Sequence, residues 1–136
     1  MSRYIALVDT ANGAYGVSFP DAPGCTAMAG TQEAAINDAT AALAEWVADQ
    51  VAAGEPVPSP SVLETLLKLP DVATALHDGA VLAMIPLIVE TGRSMRANIS
   101  LDAGLLAEID EAARRQGVTR SAFLATAAKD RILAGA

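Results

Sequence analysis

Arg93-Ser94-Met95-Arg96-Ala97-Asn98-Ile99-Ser100-Leu101-Asp102 opens the last third of this 136-residue chain. Within it Ala97, Ile99 and Leu101 alternate with Arg96, Asn98 and Ser100, the period-two signature of a strand with one apolar and one polar face. Arginine, asparagine and serine donate hydrogen bonds to purine edges or phosphates. A strand presenting them in a row is therefore a candidate groove reader.

The residues after this strand set its context. Asp102 suits the cap of a helix whose apolar positions Leu105, Leu106, Ile109, Ala112 and Ala113 share one side, and Gly117 is placed to end it. Thr119 suits the cap of a second helix, with Phe123, Leu124, Ala127, Ala128 and Ile132 as its buried stripe. One strand and two short helices cannot close a core, and a lone strand leaves both edges unpaired. The unit is expected to pair with a copy of itself, two strands forming an antiparallel ribbon over four helices, with the polar face free to enter a major groove.

Arg96 to Leu101, Ile109-Asp110-Glu111-Ala112-Ala113 and Gly117-Val118-Thr119-Arg120-Ser121-Ala122-Phe123-Leu124 together resemble a ribbon-helix-helix DNA-binding domain. The resemblance implies that Arg96, Asn98 and Ser100 occupy base-contacting positions. It also implies that Thr119, Arg120 and Ser121, at the start of the second helix, clamp phosphate. Elementary electrostatics agrees with the clamp, because free N–H groups and the helix dipole make such a terminus an anion site.

The composition, 52% hydrophobic, argues against wholesale disorder. No N-terminal stretch reads as a signal peptide and nothing approaches a membrane span, so a cytoplasmic protein without membrane association is expected. A single cysteine, Cys25, allows no internal disulfide and fits a reducing compartment. The net charge of −7 is unevenly spread: residues 1–90 hold 11 acidic and 2 basic side chains, residues 91–136 hold 5 acidic and 7 basic. The tail tolerates phosphates, whereas the N-terminal part repels nucleic acid and favours a basic partner.

In that N-terminal part, Tyr4 to Val8 and Tyr15 to Phe19 flank the turn dipeptide Asn12-Gly13 and read as a β-hairpin. Pro20 to Gly24 is a rigid turn and Cys25 to Ala29 a third strand. Thr31 caps a long helix with apolar positions Ala35, Ala39, Ala42, Leu43, Trp46 and Val47, expected to stop before Gly54. Pro56-Val57-Pro58-Ser59-Pro60 reads as an extended connection, after which Ser59 and Pro60 suit the cap and first position of a short helix carrying Leu63, Leu66 and Leu67. A second short helix is expected from Asp71 to His77, then a strand over Ala80 to Val89 in which Pro86 marks an edge or bulge.

Tyr15-Gly16-Val17-Ser18-Phe19-Pro20-Asp21-Ala22-Pro23-Gly24-Cys25, together with Gly30-Thr31-Gln32-Glu33-Ala34 and Trp46, resembles the N-terminal domain of HicB-type antitoxins. The resemblance implies a small α/β domain with a partial ribonuclease H-like fold, β-β-β-α-β. It implies as partner HicA, a small basic ribonuclease toxin. The inserted helical segment Ser59 to Asp78 departs from the shorter members of that family. The expected fold is thus α+β, with a HicB-like toxin-binding domain over residues 1–90 and a dimeric ribbon-helix-helix domain over 91–136.

No catalytic residue, metal ligand or cofactor is assigned. Cys25 has no histidine near it in sequence, and the only histidine, His77, lies in a distant helical piece. A metal-dependent nuclease would need clustered carboxylates, whereas Asp9, Asp21 and Glu33 fall at a strand end, in a turn and in a first helical turn. The expectation is a non-enzymatic antitoxin that blocks a HicA-type toxin and represses its own operon by binding operator DNA as a homodimer, with a tetramer as the larger assembly that contacts between N-terminal domains would add. A ligand-responsive regulator and a metal-dependent nuclease are the alternatives. No residue is assigned to toxin contact.

Overall fold

The computed structural model describes residues 2–134, and the chain divides into two compact units, Met1–Val89 and Glu90–Ala136. In the first, β1 (Arg3–Ala11) and β2 (Ala14–Ser18) pair antiparallel with Ala11 opposite Ala14. Between them Asn12 and Gly13 have φ of 54° and 78°, the two positive values that a type I′ hairpin turn requires. A tight turn then carries the chain from Phe19 to β3 (Thr26–Ala29), with Ala22 N–H donating to the Phe19 carbonyl at 3.2 Å.

Helix α1 (Gln32–Ala52) begins at Thr31, whose hydroxyl accepts from Ala34 N–H at 3.2 Å, and ends just before Gly54. Helices α2 (Leu63–Leu67) and α3 (Pro70–His77) come next, and β4 (Val81–Pro86) completes an antiparallel sheet of order β3-β2-β1-β4. The fold is α+β.

Every residue of β1 from Tyr4 to Val8 is buried, because both faces of the sheet are covered there. Tyr4, Ala6 and Val8 join Val17, Phe19 and Ile85 against Ala35, Ala39, Leu43 and Val47 of α1. The alanines let the helix approach the sheet closely. On the opposite face Ile5 and Leu7 are also buried, and α3 packs on β1 with Val72 and the neighbouring Leu66 of α2 out of solvent. The inserted helical segment therefore covers the second face of the central strand, apolar area worth about 25 cal/mol per Å² removed from water.

The proline-rich stretch is extended, as the sequence suggests, and it is held to the domain body. The Tyr4 hydroxyl donates to the Pro58 carbonyl at 2.6 Å, and Ser61 donates through both N–H and hydroxyl to the two oxygens of Asp21, at 2.7 and 2.6 Å. This corrects the helix start expected at Ser59 and Pro60. Helix α2 begins only at Leu63, with Val62 as an N-cap that makes no side-chain cap. The Asp21 bonds keep the chain extended through Ser61. The N1 proline that opens a helix is instead Pro70, in α3.

Strand β4 is shorter than expected, ending at Pro86, although Leu87 N–H just beyond it still donates to the Ser2 carbonyl at 2.8 Å. It is an edge strand.

In the second unit, α4 (Ala103–Gln116) and α5 (Arg120–Ala134) pack on each other. The Asp102 carboxylate accepts from Gly104 and Leu105 N–H at 2.9 and 3.2 Å, and Gly117, with φ of 69°, closes α4 in the left-handed conformation. The unit departs from the sequence-based expectation in two places. Residues 96–101 form no strand, because among the described residues they have no hydrogen-bonded neighbour. The α5 stripe is not buried: Phe123 and Leu124 are half-buried, while Ala127, Ala128 and Ile132 are exposed. Among the described residues of this unit, only Ile109 and Ala113 of α4 are buried.

Candidate functional site

The segment before α4 displays its alternation openly. Arg96, Asn98 and Ser100 are exposed, and the intervening apolar side chains are exposed too, Ile99 at 63% and Leu101 at 37%, with Met95 at 92%. Exposed isoleucine, leucine and methionine in one short run amount to an unsatisfied apolar surface beside the polar set.

At the α4–α5 junction the Thr119 hydroxyl accepts from Ala122 N–H at 3.1 Å and the Thr119 carbonyl from Phe123 N–H at 2.9 Å. The N–H groups of Arg120 and Ser121 are the remaining first-turn donors of α5. Thr119 is thus the cap of the helix, its hydroxyl engaged locally, while Ser121 is exposed in the first turn.

Arg120 is engaged as well. Its Nε and one terminal nitrogen donate to the two oxygens of Asp110 on α4, each at 2.8 Å. That hydrogen bonding, with the positive charge added, outweighs desolvation and holds the Asp110 carboxyl below its ordinary range, and it raises the Arg120 guanidinium above its own. The other guanidinium edge keeps free donors, because arginine carries five N–H groups. The structure gathers Thr119, Arg120 and Ser121 at one helix terminus, with a carboxylate beside them that sequence reasoning did not place there.

Cys25 is buried, and burial pushes its thiol pKa up, away from the reactive thiolate. Asp21 is committed to Ser61, and among the described residues no group of three histidine, cysteine or carboxylate side chains is arranged to hold a metal ion. Tyr15 and Trp46 pack against the α1 core, where Phe19 is buried, and the Trp46 indole N–H donates to the Pro23 carbonyl at 3.2 Å. Among the described residues, no helix is long and apolar enough to cross a membrane.

The fold is that of solved antitoxin structures. The chain is similar to the crystal structure of the Burkholderia pseudomallei antitoxin HicB, at 31% identity and TM-score 0.56, over 94% of this chain and 96% of that one. It is similar to the N-terminal domain of the same antitoxin at 29% identity and TM-score 0.53, over 64% of this chain and 99% of that one. A toxin–antitoxin complex from Streptococcus pneumoniae shares the fold at 20% identity and TM-score 0.53, over 95% of this chain and 97% of that one. No curated protein sequence matches. The family profile described as HicB_like antitoxin of bacterial toxin-antitoxin system matches residues 4–128. The chain belongs to the HicB-like antitoxin family.

Proposed function

We propose that this antitoxin neutralises a HicA-type basic ribonuclease toxin through unit Met1–Val89, and represses its own operon by binding operator DNA as a homodimer through Glu90–Ala136. Family membership supports the first half. The observation that carries the second is the run Met95 to Leu101, in which exposed Ile99 and Leu101 alternate with Arg96, Asn98 and Ser100. Pairing with a second copy would bury the apolar set and complete the missing ladder, leaving the polar set to meet base edges in a major groove. Thr119, Arg120 and Ser121 then grip phosphate, and the protein works in the cytoplasm without catalytic chemistry of its own. The seven basic side chains after residue 90 suit that task better than the acidic remainder of the chain.

The deciding experiment is co-expression of the full chain with the product of the adjacent reading frame, beside a reporter driven by the operon's promoter. Relief of that product's toxicity together with reporter repression is expected. An adjacent product that is not basic, or whose toxicity this chain leaves untouched, overturns the reading.

A further inference from the structure

The face of the sheet covered by α3 carries two clefts that meet at Asp71. One, of about 380 Å³, is lined by Leu7, Phe19, Leu69 and Val72 together with Ser18, two prolines and Asp71. The other, of about 550 Å³, is lined by Asp9, Asp71 and Asp78 together with Thr10, Thr74 and the Gly79–Ala80 turn. Leu69 is 42% exposed, a large apolar side chain that the fold leaves open at the first cleft.

Asp9 is exposed, and its side chain leans toward β2. It shares a face of β1 with Ile5 and Leu7 and lies cross-strand from Gly16, over which its carboxylate rests: a Cβ at position 16 would stand 2.8 Å from Asp9 Oδ1. The glycine makes room for the carboxylate. Asp71 and Asp78 come from the first turn and the C-cap of α3.

We propose that α3 and these two clefts are the docking surface for the toxin. An apolar or aromatic side chain of the toxin enters the Leu7–Phe19–Leu69–Val72 cleft, and a neighbouring lysine or arginine enters the Asp9–Asp71–Asp78 cleft. Charge identifies the occupant. Unit Met1–Val89 carries 10 acidic side chains against Arg3 and Lys68, and neither base lines a cleft. A second copy of this acidic unit would bring carboxylates against Asp71, and nucleic acid would be repelled, whereas a basic protein with an exposed apolar anchor satisfies both clefts at once. The inference rests on the proposed toxin-binding function and names the surface that would perform it.

The test measures binding of the full chain to the basic protein encoded beside it, by calorimetry at near-physiological salt. Asp71→Lys and Leu69→Glu are each expected to weaken binding about a hundredfold or more. Asp49→Lys makes the same charge change at an exposed position of α1 and should cost no more than about threefold, through lost long-range attraction. Gly16→Ala keeps every charge but displaces the Asp9 carboxylate, and should weaken binding several-fold with an unchanged melting temperature. Wild-type affinity in Leu69→Glu and Gly16→Ala, or equal losses in Asp49→Lys and Asp71→Lys, overturns the proposed surface. Should Asp71→Lys fail to fold, the Leu69 and Gly16 variants decide. Failure of the wild-type chain to bind the basic protein instead removes the toxin-binding function itself, and the surface with it.

Discussion

Arg120 and Asp110 are joined at two points, Nε to Oδ1 and Nη2 to Oδ2, each at 2.8 Å, tying the first turn of α5 to α4. Because the hydrogen bonds depress the Asp110 pKa, the stabilisation they bring is fully present above the ordinary carboxylate range and is lost as pH falls through the depressed value. Chemical-shift titration of the α4–α5 pair should therefore show the tie persisting at neutral pH and releasing only in acid, below the ordinary carboxylate range. In DNA binding, Asp110→Ala removes a negative charge from beside the proposed phosphate clamp and should strengthen binding to any sequence. Arg120→Ala should weaken all sequences alike and lower the salt slope by up to about one. A salt titration of both variants checks this, and weaker binding by Asp110→Ala would mean that the carboxylate positions the guanidinium.

Dimerisation has its own handle. Ile99→Lys changes an exposed residue of the single chain, so an effect on the folded monomer should be small. Within a paired ribbon the same change buries a charge, costing about several kcal/mol. Analytical ultracentrifugation should show a dimer for the wild type and dissociation for the variant. A wild-type chain that sediments as a monomer at micromolar concentration would refute the ribbon.

The two proposed DNA-contacting sets should fail in different ways. Arg96→Ala should cost about 1 to 3 kcal/mol per half-site and relax preference at one base position, because a bidentate guanine contact is lost. Ser121→Ala should weaken every operator alike. Selection from randomised operators separates these outcomes, and unchanged base preference in Arg96→Ala would place the reading element elsewhere.

Stability of the first unit should depend on the second face of its sheet. Leu66 is 1% exposed, so Leu66→Ala should destabilise by about 2 to 5 kcal/mol. Ser61→Ala removes a part-buried hydroxyl bond to the Asp21 carboxylate and should cost about 1 to 3 kcal/mol in urea unfolding. Equal stability of wild type and Leu66→Ala would show that α2 and α3 add nothing to the core.

The hairpin, the capped long helix and the α4–α5 pair were legible in the sequence because each rests on local chemistry. Asn12-Gly13 dictates its turn, Thr31 and Asp102 supply caps to N–H groups two or three residues away, and Gly117 ends α4 by its own backbone freedom. The start of α2 was not legible. Proline after serine is a valid local signal at Pro60, yet it lost to bonds between Ser61 and Asp21, 40 residues apart in the chain.

By itself the sequence determined the order of the elements from β1 to β4 and of α4 and α5, the acidic N-terminal and basic C-terminal parts, and the alternating run Arg96 to Leu101, since periodicity, capping and charge are written along the chain. Only the tertiary structure decided that α3, with α2 packed on it, covers the second face of β1, that Asp110 engages Arg120, and that Asp9, Asp71 and Asp78 line one cleft. Those relations join residues from separate elements, and no spacing along the chain encodes a distance that folding alone creates.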